Sequence, residues 1–363
     1  MGEQMQSVTH VVADGAPGGG TTFVLGLCEH QKALGQKVTL ICEPDSYAAE
    51  QGRQRGLTVA EFNFFRWPRK GAGHGELASL LRKHRADVFH VHGPRAGLPV
   101  ALNAKHGALV YTVHGYHFRK KNPLLRCAGV MAEKILKRRT DWIVHVSAAD
   151  ARFAASSGIA KQEATSAILN GVREITQAPT PWVERRYDVV FASRMVHQKN
   201  PLFAADVLKR LVAEGRQVAV VGGGGLQDDF KAALGESALK QVEWLGALSH
   251  LRTLEVLQQS RALLFPSLWE GLPLTPMEAM MSGCLVVASD IEGSNEVIKD
   301  RRNGLLMPKF DVEAYVQAIV ELLDHPKQAE QLSAQARKDA LDQFTQNRCF
   351  GEYQALYKRL CCA

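Results

Sequence analysis

The chain has 363 residues, 46% apolar and 22% charged, which is the composition of a globular protein long enough for two domains with separate cores. No apolar run approaches the roughly 20 residues that span a bilayer, and the opening MGEQMQSVTH lacks a signal-peptide core, so a cytoplasmic protein is expected. The net charge of +7 is lopsided: residues 1–175 carry 23 Lys and Arg against 14 Asp and Glu, whereas the remainder carries 21 against 23.

The basic surplus therefore belongs to the first half, which points that half towards an anionic partner. Seven cysteines stand at 28, 42, 127, 284, 349, 361 and 362 with no CxxC pair, which argues against a disulfide framework or a structural zinc site.

In chain order, Val8 to Val12 reads as a strand, Gly15 to Gly20 as a glycine loop, and Thr21 or Thr22 as the start of a helix that runs to Leu34. The unit is like a Rossmann start, but glycines at 15, 18, 19 and 20 do not match G-x-G-x-x-G. A loop that lets backbone approach a phosphate or an acceptor fits better than a dinucleotide site, and a plain tight turn is the alternative. Further strands are expected at Val38 to Cys42, Thr58 to Phe62, Val88 to Val91, Ala108 to Val113 and Trp142 to Val146. Their alternation with helices implies a doubly wound parallel sheet. Its functional edge would carry His90 and His92, His114 and His117, and His145 with Ser147. His90 and His92 have metal-pair spacing without a third ligand, so a structural or acceptor-side role is expected.

Asn122 and Pro123 open a helix to Arg139 with Leu124, Leu125, Ala128, Met131, Ala132, Ile135 and Leu136 on one face. Lys120, Lys121, Arg126, Lys134, Lys137 and Arg138 make it basic. It reads either as a core helix with a solvated charged face or as one that lies on an anionic bilayer. Arg173 to Asp188, with two prolines and no period, reads as the interdomain linker. A second set of strands follows at Val189 to Ala192, Gln217 to Val221, Val242 to Gly246 and Ala262 to Pro266. Arg194 and Lys199 sit at a strand end before a helix, a suitable place for diphosphate ligands. Gly222 to Gly225 forms another glycine loop.

The most informative stretch is SLWEGLPLTPMEAMMSG, Ser267 to Gly283. Thr275, Pro276 and Glu278 read as an N-cap, a first-turn proline and a capping-box acid. Glu270 and Glu278 bracket backbone amides, and amides at a helix start suit a phosphate while carboxylates suit hydroxyls. A nucleotide-sugar satisfies both. Glu278 serving only the capping box, with Glu270 solvated, is the alternative.

The pattern Glu, seven residues, Glu in EGLPLTPMEAM, with SGCLVVAS, Asn295-Glu296-Val297-Ile298 and Asn303-Gly304-Leu305-Leu306, resembles the retaining glycosyltransferases of family four. The resemblance covers nearly the whole chain. It implies an α/β glycosyltransferase-B fold: two doubly wound Rossmann-like domains facing a cleft, spanning 1–175 and 176–345, with a terminal helix, 346–363, that crosses back to the first. It also implies that Glu270 contacts the transferred sugar, Glu278 the ribose, and the backbone of Gly271, Leu272, Pro273 and Leu274 the sugar and phosphate. In the same way His114 is placed beside the donor sugar, Gly18 and Gly19 face the diphosphate with Arg194 and Lys199, and Gly222 and Gly223 lie near the nucleoside.

The expected activity is retaining, metal-independent transfer from a UDP- or GDP-sugar to a glycan, lipid-linked or polysaccharide hydroxyl, with no cofactor and no nucleic-acid partner. An Asp-x-Asp metal signature is absent from the sequence. A peripheral position at the inner membrane face is the second option beside a cytoplasmic one. A nucleotide-sugar epimerase on the same fold and a non-catalytic binding module are the alternatives.

Overall fold

The computed structural model describes residues 7–69, 73–120, 122–160 and 162–362. The chain divides into two compact units, one running to Asn170 and resuming at Arg348, the other comprising Gly171–Asn347.

The first unit holds a seven-stranded sheet: β1 (Ser7–Val12), β2 (Lys37–Cys42), β3 (Thr58–Glu61), β4 (Val88–His92), β5 (Ala108–Val113), β6 (Trp142–His145) and β7 (Thr165–Ala167). Their spatial order is β3-β2-β1-β4-β5-β6-β7, and every pairing is parallel. Helices on both faces explain why most of these strands read as unbroken apolar runs rather than alternating ones. The order reverses between β1 and β4, and loops at the carboxyl ends of strands diverge at such a point to leave a crevice.

The second unit repeats the scheme with six parallel strands: β8 (Tyr187–Ala192), β9 (Val218–Val221), β10 (Glu243–Gly246), β11 (Ser260–Phe265), β12 (Leu285–Ser289) and β13 (Leu305–Met307). The order is β10-β9-β8-β11-β12-β13, so its reversal lies between β8 and β11. These two Rossmann-like sheets are those of the glycosyltransferase-B fold. The terminal helix Gln346–Cys361 packs on the first sheet, as expected, burying Phe350, Tyr353 and Tyr357. Tyr353 meets Thr112 at 3.2 Å and Tyr357 meets Nδ1 of His90 at 2.5 Å.

Three expectations are corrected. The stretch read as a linker is largely a strap on the second unit. Within it Trp182 and Arg185 are buried, the Arg185 guanidinium donates to the carbonyls of Thr180, Ser260 and Gly283, and Arg337 donates to those of Ile175 and Gln177. His90 lies inside β4 and His92 ends it, both buried, because the strand runs one residue further than its apolar pattern. His145 is likewise buried, between Tyr116 and Thr165, and the Ser147 hydroxyl is spent capping the helix Ala148–Ser156.

The helix Pro123–Lys137 starts where the sequence placed it, with the Asn122 side chain accepting from the amide of Leu125 at 2.9 Å. Its inward face differs from expectation. It docks through Gly129, where a Cβ would collide with the Phe118 ring, and through Leu136 against Gly97. Glu133 is carried inwards too: Tyr111 donates to its Oε1 at 3.1 Å, and its Oε2 has no partner among the described residues. Burial pushes this carboxyl up to about 7, against the opposing pull of the Tyr111 bond.

The raised Glu133 makes stability depend on pH. In the unfolded chain the carboxyl ionises near 4.5, whereas the folded chain keeps its proton until about 7, so the folded state holds more protons in that window. Stability from this group therefore falls as pH rises from 4.5 to 7, by about 3 kcal/mol in all. Glu133→Gln keeps an acceptor for Tyr111 and removes the titration. Denaturant unfolding at pH 5 and pH 8 should show the variant gaining about 2 to 3 kcal/mol on the wild type between the two; an unchanged difference would mean that Glu133 is already ionised when folded.

Candidate functional site

In the second unit two loops meet at the strand reversal. One leaves β8 as Ser193 to Asn200, and the other leaves β11 as Pro266 to Pro273. They are zipped together: the amide of Leu268 donates to the carbonyl of Gln198 at 2.8 Å, and the Gln198 amide group donates to the carbonyl of Trp269 at 2.9 Å. Across the same seam Lys199 Nζ lies 2.5 Å from Oε1 of Glu270, and Gln198 reaches Oε2 at 3.3 Å. The Lys199 and Glu270 side chains are only 14% and 8% exposed. Lys199 also stands over the Phe265 ring, 4.8 Å from its centre.

Lys199 thus holds the carboxylate of Glu270, a partner that its expected place at the phosphate did not include. Arg194 is exposed at the end of β8 and makes no ion pair with a described residue.

Glu278 overturns the capping-box reading. The helix is Leu274–Met281, its N-cap is Pro273, and no side chain caps it. It begins one residue before Thr275, and the Glu278 carboxylate turns instead to Nε2 of His250 at 2.7 Å. That bond, with burial opposing it, raises the His250 imidazolium above its usual range. An uncapped helix start leaves first-turn amides for a ligand. Gly271, Leu272 and Pro273 are buried beneath it, and Leu274 is half-buried.

Glycines set the spacing of these loops. A Cβ on Gly222 (φ 128°) would collide with the carbonyl of Ser193, and one on Gly224 would stand 2.7 Å from that of Met195. The amide of Gly222 is spent on the carbonyl of Gly246 at 2.7 Å, while the carbonyl of Gly223 accepts from Met195 at 2.8 Å. Their evident duty is to seat the Arg194 loop. Gly293 (φ 89°) does the same against Glu270 and Gly271, whose carbonyls a Cβ would meet. Gln198, His250 and Gly293 were not singled out from sequence; their partners lie 71, 28 and 22 or 23 residues away. A separate cavity of 360 Å³ lies in this unit, lined by Arg301, Arg302, Leu322 and His325 among others, and takes no residue from either loop.

In the first unit the glycine loop after β1 precedes the helix Gly19–Ala33. Gly18 is its N-cap and no side chain caps it, so it starts two residues before Thr21. Thr21 donates back to the carbonyl of Ala16 at 2.7 Å. His114 follows β5, half-buried, with its Nε2 at 3.2 Å from Nδ1 of His92 and the edge of Phe23 against its ring.

The outer face of the helix Pro123–Lys137 carries Leu124, Met131 and Ile135, exposed by 80, 54 and 45%. Arg126, Arg138 and Arg139 are exposed at or just beyond its ends, and the helix's single carboxylate, Glu133, is buried. The apolar stripe was read with a buried face as one option, and in the structure most of it lies outside. Lys121 lies outside the described residues, as do the Lys120 and His117 side chains. Among the described residues no helix is long and apolar enough to cross a membrane.

Two family models match the chain in succession: Glycosyltransferase Family 4 over residues 17–174, and Glycosyl transferases group 1 over 172–339. Among curated proteins, the Escherichia coli UDP-Gal:alpha-D-GlcNAc-diphosphoundecaprenol alpha-1,3-galactosyltransferase is 26% identical over 269 residues, covering 68% of this chain and 69% of that protein. The putative glycosyltransferase EpsD of Bacillus subtilis is 26% identical over 316 residues, covering 80% and 81%. Among solved structures, Anabaena HepE in complex with UDP superposes with a TM-score of 0.81 at 17% identity, covering 98% of this chain and all of that one.

The His250–Glu278 pair generates a measurable titration. Because the folded pKa of His250 is raised by Glu278, its stabilising contribution is complete below the ordinary histidine pKa and is lost as pH rises through the folded value. NMR titration should place His250 above a free histidine in the wild type and return it towards that value in Glu278→Gln. Identical midpoints in the two proteins would show that the carboxylate is not its partner.

Proposed function

We propose a reaction for this chain from the premise that it is a glycosyltransferase of the family-four type, whose two models span it from residue 17 to 339: retaining transfer of a hexosyl group from a UDP-sugar to a hydroxyl of a lipid-linked glycan. The observation that carries the reading is the seam at the second sheet's reversal. It gathers a cation (Lys199), a carboxylate held by it (Glu270), an uncapped helix start and a second carboxylate (Glu278) at the carboxyl ends of parallel strands. UDP is favoured over GDP by the likeness to a UDP-bound structure, and a diphospholipid-linked acceptor by the acceptor in the name of the Escherichia coli relative.

In this reading the diphosphate lies on the first-turn amides, with Arg194 and Lys199 as counter-charges. Glu270 accepts from a sugar hydroxyl and Glu278 from the ribose. The bond from the anomeric carbon to the β-phosphate oxygen breaks as the acceptor oxygen forms its bond on the same face, and the acceptor proton passes to the departing phosphate oxygen. Negative charge grows on the diphosphate, where fixed cations and amides are most effective. Arg194 and Lys199 supply this counter-charge without a metal.

The acceptor side rests on the exposed stripe of Leu124, Met131 and Ile135 with arginines beside it. An apolar face flanked by cations and free of exposed carboxylates suits an anionic lipid surface, which would bring a lipid-linked acceptor to the enzyme.

Four outcomes are expected. Arg194→Ala should weaken UDP roughly 10- to 100-fold by calorimetry and leave uridine unchanged, since a charged hydrogen bond is at stake. Lys199→Ala should also depress turnover, because it frees Glu270; an equal loss of uridine binding in either variant would sink the assignment. Activity should survive excess chelator. Donor incubated alone should hydrolyse slowly, whereas formation of its epimer would favour an epimerase.

The chain should also sediment with anionic but not neutral vesicles at low salt. It should be released near 0.5 M salt, where the screening length is roughly 4 Å, and lose binding when Leu124, Met131 and Ile135 are changed together to Ser. Indifference to anionic vesicles would leave the stripe without this role.

A further inference from the structure

Two guanidinium groups in the second unit are taken out of water without a carboxylate beside them. Arg185, 5% exposed, donates from Nε to the carbonyl of Thr180 and from Nη1 to those of Ser260 and Gly283. Arg337, half-buried on the helix Pro326–Gln343, donates from Nη1 to the carbonyl of Met281 and from Nη2 to those of Ile175 and Gln177. Neither forms an ion pair with a described residue. Carbonyl oxygens satisfy the hydrogen bonds but do not neutralise the charge, and burial lowers both groups from the ordinary arginine range.

The two side chains line one cavity of 190 Å³, walled also by Pro179, Thr180 and Trp182. That volume is far more than one water needs and less than the pockets that take drug-sized ligands, so it suits a small ion. Donors remain for it. Nη2 of Arg185 and Nε of Arg337 have no partner among the described residues. The Thr180 hydroxyl accepts from Gln259 at 3.3 Å, which leaves its own proton to donate. Against these stands Glu330, exposed on the rim, the one carboxylate in the lining among the described residues. It acts on Arg185 from beyond ion-pair distance.

We propose that this cavity is a site for a small tetrahedral oxyanion of the phosphate type, held by Arg185, Arg337 and Thr180. Donors carried by two separate elements, the strap and the helix, suit an anion whose oxygens point in four directions. A planar carboxylate is satisfied by a single guanidinium fork. The site stands apart from the one described above. Ser260 opens β11 and Gly283 precedes β12, so the cavity lies at the amino edge of the second sheet, whereas the candidate site's loops leave the carboxyl ends.

The competing reading is structural. Both arginines fasten the strap, and Arg337 closes the end of the helix Leu274–Met281, whose last carbonyls carry partial negative charge. That role uses Nε and Nη1 of Arg185 and both Nη of Arg337. It accounts neither for the remaining donors nor for the space they border.

The test follows the Nε–H signals of Arg185 and Arg337 in ¹H–¹⁵N spectra of the full chain, assigned by through-bond correlation, as inorganic phosphate replaces chloride at constant ionic strength. Both should move along saturating curves with one shared midpoint, roughly millimolar, as two or three charged hydrogen bonds allow. Signals that stay in place, or drift without saturating, overturn the proposal. Glu330→Gln removes the opposing charge at an exposed position and should lower the midpoint roughly 3- to 10-fold. Arg337→Lys keeps the charge but loses the fork, and should raise the midpoint read at Arg185 roughly 10-fold. A midpoint that neither substitution moves would place the phosphate elsewhere and overturn the assignment. If Arg337→Lys does not fold, the wild type and Glu330→Gln still decide. Because the signals belong to the cavity itself, phosphate bound at the diphosphate position of the proposed reaction does not imitate the result.

Discussion

The ion pair between Lys199 and Glu270 is the constraint around which the second unit's site is arranged. Both side chains are nearly enclosed, and removing one partner of such a pair leaves a buried charge uncompensated, at a cost of about 3 to 5 kcal/mol. Each residue thus depends on the other in the unliganded chain. A diphosphate and a sugar hydroxyl offer replacements in kind, an anion for the lysine and a donor for the carboxylate. Binding can therefore exchange partners without stranding either charge. Glu278 is held in the same way, its oxygen accepting from His250 at 2.7 Å.

The two loops can carry this pair only because backbone approaches backbone on either side of them. Gly222 and Gly224 seat the Ser193–Met195 turn, and Gly293 seats Glu270 and Gly271. A side chain at any of the three would push the loops outwards, and a shift of that size is enough to break a short ion pair. Glycines that a motif reading assigns to the nucleotide are thereby explained first as spacers for the residues that could bind it.

Much of the fold was legible because strands buried on both faces are unbroken apolar runs, and most of the predicted strands fall within a residue or two of those observed. β7 and β13 were missed: they have three residues each, at or near a sheet edge, and little apolar pattern. Tertiary contacts decided what local spacing could not. Glu278 has the position of a capping-box acid, but its partner lies 28 residues upstream. The spacing of His90 and His92 was visible, while His10 joins them only because β1 pairs with β4 in register. The helix Pro123–Lys137 was correctly seen as amphipathic. Which way it faces was left open between a core and a surface reading, because the close approach at Gly129 and Gly97 by which it docks leaves no local signal.

The charged side chains of the candidate site, Arg194, Lys199, Glu270 and Glu278, all belong to the second unit. The buried histidines of the first unit have the opposite character: burial lowers His10 to about 4 and drives His92 well below the usual histidine range, so protons on these rings are unfavourable at neutral pH. Burying them costs hydration, and the bonds that His10 makes to Gln31 at 2.7 Å and to His92 at 3.1 Å offset part of that cost. The sequence spaces His90 and His92 as a pair, but it is this neutral, hydrogen-bonded packing that the register of β1 with β4 assembles.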